Sequence, residues 1–179
     1  MKASVFIATS VDGFIARQDG ALDWLPGDGV EDHGYNEFFA SVDALVIGRK
    51  TFDTVLGFDQ WPYADKLVVV LTSRPLEFAP PEGSRCEFMT GAPREIIDRL
   101  SARGLKHLYI DGGLTIQRFL AAGLIQHLTV TRVPVLLGSG IPLFGPLPHD
   151  IRLEHVRTRS YPNGLVQSDY TISPSTGPR

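Results

Sequence analysis

The chain has 179 residues, of which 43% are hydrophobic and 21% are charged, and its formal net charge is −3. This length and composition predict one globular domain with a sizeable core. The sequence has no long basic run, which argues against a nucleic-acid groove, and no apolar run of the length that a membrane span needs.

The cysteine and histidine content supports neither a disulfide nor a metal site. Cys86 is the only cysteine, so an internal disulfide is impossible, and we expect a reducing compartment, the cytoplasm. The five histidines do not pair at spacings of three or four residues, so no metal site on a helix is predicted.

Short apolar runs alternate with helix-like runs along the chain, which is typical of an α/β domain. The first half predicts strands at 3–10, 43–48 and 66–73 and short helices at 33–42 and 49–57. The segment 11–32 is rich in Gly and Asp and is too long for a simple turn. A connection of this length is typical of a functional loop or lid.

The second half continues the alternation and ends in a hairpin. It predicts helices at 92–104 and 113–123 and strands at 106–110 and 127–138. In the last of these strands, Thr129 and Thr131 are expected on the face opposite Leu128 and Val130, and Pro134 indicates an edge or a bulge.

The dipeptide Asn163-Gly164 lies between two segments of alternating polarity. Asn-Gly in this setting predicts an antiparallel β-hairpin, here at 151–173. We therefore expect a single domain at 1–173, followed by a frayed tail at 174–179.

The common nucleotide-binding loops are absent. "GSGIPL" (138–143) begins like the dinucleotide fingerprint, but its sixth position is Leu143. Lys50-Thr51 lacks the glycines of a P-loop, and no G-x-S-x-G elbow occurs. A Rossmann dehydrogenase, a P-loop kinase and a serine hydrolase are therefore not supported.

Three predicted strands end in small or polar residues. "VIG" leads to Arg49, Lys50 and Thr51, "VVL" to Thr72, Ser73 and Arg74, and "LYI" to Asp111, Gly112 and Gly113. Ligands of open α/β sheets lie beyond the carboxyl ends of the strands, and helix starts attract anions. These ends therefore predict a site for a dinucleotide's phosphates. The alternative is that the glycines and hydroxyls only form turns and caps.

Six segments carry a family resemblance over nearly the whole chain. They are "SVDGFIA" (10–16), "DWLPG" (23–27), "VDALVIGRKTF" (42–52), "VVLTSRP" (69–75), "IDGGLTIQRFL" (110–120) and "VPVLLGSGIPLF" (133–144). In this order they resemble the dihydrofolate reductase fold family. More specifically, the chain is similar to stand-alone proteins that resemble the C-terminal reductase domain of the bifunctional riboflavin-biosynthesis deaminase/reductase.

The resemblance implies a three-layer α/β/α fold with a mixed, mostly parallel central sheet, and an NADPH site. The residues implied at that site are Ala8, Ile15, Gly48, Arg49, Lys50, Thr51, Leu71, Thr72, Ser73, Arg74, Asp111, Gly112, Gly113, Leu114 and Thr115. The family commonly has glycine where this chain has Asp111. A carboxylate near a phosphate is unfavourable unless it turns away or caps the next helix.

On the substrate side, folate-reducing relatives carry an acid on the helix after the lid, and the matching position here is Asp32 or Asp28. The alternative for both is an acidic helix start. Thr131 matches the strand threonine that partners the family's acid, and its alternative is an ordinary strand residue.

The resemblance further implies a reductase of a small heterocycle, with an aminopyrimidine of the riboflavin route as the preferred substrate class and no nucleic-acid or membrane partner. Pterin or folate reduction, and a binding module without catalysis, are the alternatives. A homodimer is expected, because relatives in the riboflavin branch are dimeric.

Overall fold

The computed structural model of the chain describes residues 1–27, 32–74 and 79–173. Within these ranges it forms ten strands and four helices. The strands are β1 (Lys2–Ser10), β2 (Phe14–Ala16), β3 (Ala44–Gly48), β4 (Leu67–Leu71), β5 (Arg85–Met89), β6 (His107–Asp111), β7 (His127–Val133), β8 (Ile141–Pro142), β9 (Leu153–Ser160) and β10 (Val166–Ile172). The helices are α1 (Tyr35–Ser41), α2 (Arg49–Leu56), α3 (Pro93–Ala102) and α4 (Gly113–Ala121).

One central sheet contains eight of these strands, in the order β5-β4-β3-β6-β1-β7-β10-β9. The strands from β5 to β7 are parallel to one another, and β10 pairs antiparallel with both β7 and β9. This confirms the predicted mixed, mostly parallel sheet with an antiparallel hairpin at its C-terminal end. Strands β2 and β8 pair separately, outside the central sheet.

Both faces of the central sheet are covered where β3 and β4 lie, so these two inner strands are almost wholly apolar. Val46 and Val69 point to the face where α3 and α4 pack. Ile47 and Val70 point to the opposite face, where they pack with α1 and α2. The alternation along each strand therefore builds two separate cores, which confirms the predicted three-layer arrangement.

Two local predictions were wrong or incomplete. The strand predicted at 127–138 ends at Val133, and β7 lies between β1 and β10 rather than at an edge. Pro134 has no N–H with which to extend the ladder, so it follows the end of the strand. Strand β5 was not predicted, because Arg85 and Glu87 interrupt its apolar pattern, and pairing with β4 supplies its order.

The predicted hairpin is confirmed: β9 and β10 are joined by residues 161–165. Inside this connection, the N–H of Gly164 donates to the carbonyl of Tyr161 at 2.9 Å, and Gly164 has a φ of 85°. That positive φ is the conformation that glycine adopts without strain. The tail predicted at 174–179 lies outside the described residues.

Candidate functional site

The three strand ends singled out in the sequence meet at one edge of the sheet. Gly48 at the end of β3 is level with Leu71 of β4, and Ile47 is level with Asp111 of β6. Because all three strands are parallel, the segments that follow them open onto the same crevice. The structure thus brings together the predicted residue groups 48–51, 71–74 and 111–115.

Two helices begin at this edge without any side-chain cap. The N-caps of α2 and α4 are Gly48 and Gly112, and neither helix has an acidic residue in its first turn. The other two helix starts are served by carboxylates: Asp32 accepts from the N–H of Asn36 in α1, and Glu95 of α3 accepts from a backbone N–H. The first-turn N–H groups of α2 and α4 are therefore available to an external anion.

The starts of α2 and α4 also touch each other, and the two glycines permit this. A Cβ on Gly48 would lie 2.9 Å from Thr115 Oγ1, and a Cβ on Gly112 would overlap Thr51 Oγ1. Gly112 further has a φ of 89°, in the region that favours glycine. The positive ends of two helix dipoles are thus held side by side at the crevice.

Two cations lie on the first turn of α2. Arg49 Nε donates to both carboxylate oxygens of Asp53, one turn later, at 3.2 Å, and 20% of the Arg49 side chain is exposed. Lys50 is exposed. On α4, Gly113 is packed against Ile15, whereas the Leu114 side chain is 70% exposed.

The segment after β4 forms a small hydroxyl-stabilised turn. The N–H of Thr72 donates to the carbonyl of Met89 at 3.0 Å. The Thr72 hydroxyl accepts from the N–H of Arg74 and donates to its carbonyl, both at 3.2 Å. Ser73 and Arg74 are exposed at the crevice edge, so the predicted contact of this segment with a ligand stays a prediction.

The sheet opens between β1 and β6 on the same side. These strands pair only from Lys2 to Ser4, whereas β1 pairs with β7 as far as Ser10. The N–H of Lys2 donates to the carbonyl of Lys106, just before β6, at 2.8 Å. Successive residues of a strand direct their backbone N–H and C=O groups to opposite sides, so those of Ala8 also point towards β6. Ala8 stays partly exposed although it lies in an inner strand. The result is a cleft whose wall carries the backbone of Ala8.

The Asp111 carboxyl lies at the start of α4, within electrostatic reach of two tyrosines of the neighbouring aromatic core. Its Oδ1 accepts from the N–H of Gly112 at 2.8 Å, and its carboxyl faces the aromatic core that contains Tyr35 and Tyr109. Burial raises the pKa of Asp111 to about 6. Burial and the nearby Asp111 charge raise the pKa of Tyr35 to about 12.

Of the candidate acids, Asp32 binds the start of α1. Its Oδ1 accepts from the N–H of Gly34 at 3.1 Å and its Oδ2 from that of Asn36 at 3.0 Å. These backbone bonds lower the pKa of the exposed Asp32 carboxyl, which suits a cap and does not suit a proton donor. Asp28 lies outside the described residues.

Thr131 is buried on β7, directly beside Ala8. Its side-chain oxygen pairs with Gln167, not with an acid: Gln167 Nε2 lies 3.0 Å from Thr131 Oγ1. Gln167 itself is only 3% exposed, and sequence reasoning did not single it out. Only the register of β10 on β7, in which Gln167 lies opposite Thr131, brings the two side chains together.

The first part of the predicted lid is anchored. Strand β2 pairs with β8, and the Asp12 carboxylate accepts from the N–H groups of Leu137 and Gly138 at 3.2 and 2.7 Å. The Asp12 bonds hold 11–16 onto the segment after β7. This anchoring places Ile15 against the start of α4.

Two surface cavities lie at the opposite, amino-terminal edge of the sheet. One of about 480 Å³ is lined by residues that include Lys66 and Arg85, and one of about 260 Å³ by residues that include His107 and His127. Neither touches the crevice residues. In the described part of the chain, no helix is long and apolar enough to cross a membrane, and no three potential metal ligands cluster.

Residues 2–167 match the family model described as the RibD C-terminal domain. The chain belongs to the RibD C-terminal domain family. Among curated proteins, the uncharacterized protein YwjB of Bacillus subtilis (strain 168) is 33% identical over 163 residues, which are 89% of this chain and 92% of YwjB. The dihydrofolate reductase HdrB of Haloferax volcanii is 30% identical over 126 residues, 68% of this chain and 62% of HdrB.

Solved structures agree with this assignment. A putative riboflavin biosynthesis protein from Shewanella sp. PV-4 is 41% identical, with a TM-score of 0.89 over 97% of this chain and 99% of that one. The deaminase/5-amino-6-(5-phosphoribosylamino)uracil reductase of Thermotoga maritima has a TM-score of 0.76 at 14% identity, over 96% of this chain and 56% of that one.

The dihydrofolate reductase of Enterococcus faecalis, complexed with NADP(H) and RAB-propyl, has a TM-score of 0.64 at 19% identity, over 96% of each chain. At these low identities the last two comparisons show the fold alone, which is dihydrofolate reductase-like. Together with the family and the HdrB relative, the findings support an oxidoreductase of the riboflavin-reductase and dihydrofolate-reductase type.

Proposed function

We propose that this protein is an NADPH-dependent reductase of a small nitrogen heterocycle. The observation that carries the proposal is the pair of uncapped helix starts, α2 and α4, packed together beside the cleft between β1 and β6. Such a pair offers backbone N–H groups and two positive dipole ends to a pyrophosphate. The cleft beside it is open next to Ala8.

The residues of this chain fit such a cofactor. The first turns of α2 and α4 would hold the pyrophosphate, and Arg49 and Arg74 would lie near the 2′-phosphate. The backbone of Ala8 and the side chain of Ile15 would lie beside the nicotinamide. When bound, the nicotinamide supplies the hydride, and the protein supplies orientation and a water-poor cleft.

A reduction of this type also takes up a proton. Asp32 is held ionised by backbone N–H groups, so it is a poor donor. Among the described carboxyls at this edge, Asp111 has a pKa raised towards neutrality, to about 6. Its carboxyl lies at the start of α4 and faces the aromatic core, so this proposal does not assign Asp111 the role of proton donor to the substrate.

For the substrate, we propose 5-amino-6-(5-phosphoribosylamino)uracil, the aminopyrimidine of riboflavin biosynthesis. Its support is the family itself, and the T. maritima protein that shares the fold carries this activity in its name. The HdrB relative favours an alternative, a dihydrofolate or pterin reductase. A second alternative, a nucleotide-binding module without catalysis, is favoured by the use of Asp32 as a cap.

One experiment separates these three functions. NADPH binding is measured by titration, and NADPH oxidation is followed with the phosphoribosylaminouracil and with dihydrofolate as substrates. Turnover of the first compound supports the proposal, and turnover of dihydrofolate alone supports the pterin alternative. Tight NADPH binding without turnover of either supports the binding module.

We expect NADPH to bind at least about tenfold more tightly than NADH. Arg49 and Arg74 are at the crevice edge where the 2′-phosphate is expected, and charge-assisted contacts to phosphate contribute about 1.5–3 kcal/mol. Titration of both cofactors, followed by quenching of Trp24 and Trp61 fluorescence, measures the ratio. Equal dissociation constants would show that neither cation recognises the 2′-phosphate.

We also expect a homodimer. Strand β9 is an exposed edge strand that carries Val156, 57% exposed, and the segment after β7 carries Leu136, 71% exposed. An edge strand with apolar side chains suits pairing with a second copy. Sedimentation at micromolar concentration should give about twice the 19.6 kDa chain mass, and Val156→Lys should shift it towards one chain. A single species near 19.6 kDa in the parent protein would refute the dimer.

A further inference from the structure

The amide of Gln167 has a fixed orientation, because its nitrogen lies 3.1 Å from the backbone carbonyl of His33. A carbonyl only accepts, so the side-chain atom facing it is the NH₂ group. Tyr161 OH approaches the other end, Oε1, at 3.3 Å. His33 has a φ of 54°, outside the conformations that side-chain-bearing residues prefer, and the Gln167 bond helps to hold it there.

The orientation of the Gln167 amide determines whether the Thr131 hydroxyl donates or accepts in the hydrogen bond between them. The same Nε2 atom lies 3.0 Å from Thr131 Oγ1, and a nitrogen of an amide NH₂ only donates. The Thr131 oxygen must therefore accept from Gln167, and its single hydroxyl hydrogen must point elsewhere. No second hydrogen-bond partner of this hydroxyl lies among the residues that the structure describes.

Thr131 is positioned to present that hydrogen to the cleft. It is paired in register with Ala8 of β1, the inner-strand residue that remains partly exposed where β1 and β6 separate. Nearby, the ring nitrogen Nε2 of His33 is buried without a partner within the described ranges, and the His33 ring packs edge-on against Tyr161 at 4.3 Å.

We propose that Gln167 is a positioning residue that makes the Thr131 hydroxyl a hydrogen-bond donor to the substrate. The wall of the cleft then selects a heterocycle that presents a ring carbonyl at this point, and it disfavours one that presents an amino group. This inference rests on the proposed function, because it deepens the recognition of a pyrimidine beside the nicotinamide position.

A matched pair of ligands tests the polarity of this wall. 5-Aminouracil has a carbonyl oxygen at ring position 4 and an N–H at position 3, whereas 5-aminocytosine has an amino group at position 4 and an acceptor nitrogen at position 3. Calorimetric titration into the NADPH-saturated protein should show tighter binding of 5-aminouracil, by about three- to tenfold for one hydrogen bond. Thr131→Val should remove this preference, and Thr131→Ser, which keeps the hydroxyl, should retain it.

Two further variants separate positioning from stability. Thr129→Val is the control, because Thr129 lies on the same strand and face but donates to Asp169 at 2.7 Å, so the preference should persist. Gln167→Glu cannot donate to Thr131, and its carboxylate accepts the Thr131 hydrogen instead. The Gln167→Glu variant should therefore show no preference for 5-aminouracil. Far-UV circular dichroism of each variant verifies folding.

The outcomes divide clearly. A preference that survives Thr131→Val overturns the proposal, as does a parent protein that binds the two pyrimidines equally or binds neither while NADPH still binds. If the parent protein does not bind NADPH at all, the proposed function itself fails, and the NADPH titration reveals this before any pyrimidine is added.

Discussion

Replacing Asp111 with Asn is expected to raise the free energy of unfolding of the cofactor-free protein by about 2 to 3 kcal/mol at pH 8. Burial raises the pKa of Asp111 from 3.8 to about 6, roughly two pH units, and each unit corresponds to about 1.4 kcal/mol. The Asn oxygen can still accept from the N–H of Gly112, so the local bond is kept.

The gain should depend on pH in a defined direction. The folded protein binds the Asp111 proton more tightly than the unfolded chain does. The contribution of this proton to the stability of the parent protein is therefore complete below pH 3.8 and is lost as the pH rises through about 6. Urea unfolding between pH 4.5 and pH 8 should therefore show the difference between Asn variant and parent growing with pH. A difference that stays constant over this interval would contradict a raised pKa at Asp111.

The Arg49→Ala variant is expected to weaken NADPH binding by about 1.5–3 kcal/mol, a tenfold to hundredfold rise in the dissociation constant. Arg49 lies on the first turn of α2, next to the uncapped N–H groups. Its planar fork can bind phosphate in a bidentate manner. In the cofactor-free protein, Arg49 Nε donates to the Asp53 carboxylate at 3.2 Å. If Arg49 leaves Asp53 to bind the phosphate, the loss of this ion pair offsets part of the gain in binding free energy.

Lys50→Ala is the matched control on the same turn. It should weaken NADPH binding less, because a flexible ammonium acts as a point charge without a fork. Thermal denaturation without cofactor should show that the free energy of unfolding changes by less than about 1 kcal/mol in either variant. Ion pairs between partly exposed side chains contribute little to stability. If Arg49→Ala binds NADPH like the parent, α2 is not the phosphate site, and if it unfolds, Arg49 is structural.

Much of the fold follows from local sequence patterns. The apolar run before Gly48, the Leu and Val run at 66–73 and the Asn163-Gly164 turn predict β3, β4 and the terminal hairpin where the structure has them. These patterns depend on residues that are neighbours in the chain, such as the alternation of the two sheet faces. The common edge of the three strand ends also follows, because parallel strands place their carboxyl ends together.

The polar details of the site depended on contacts between distant segments. Asp32 had two possible roles in the sequence, and only its bonds to Gly34 and Asn36 favour the cap. Asp111 was expected either to turn away from a phosphate or to cap the next helix, and only its bond to the N–H of Gly112 places it at the start of α4. Such choices depend on which atoms lie within hydrogen-bond distance, which sequence spacing does not specify.

The sequence by itself therefore determined the α/β class, most strands and helices and the edge at which the candidate site lies, and its family resemblance implied the three layers. Only the tertiary structure decided that Gly48 meets Thr115, that Gly112 meets Thr51 and that Gln167 pairs with Thr131. The physical reason is that secondary structure is encoded by short-range periodicity. These contacts join residues on different elements, and strand register and helix packing fix them only once the whole chain has folded.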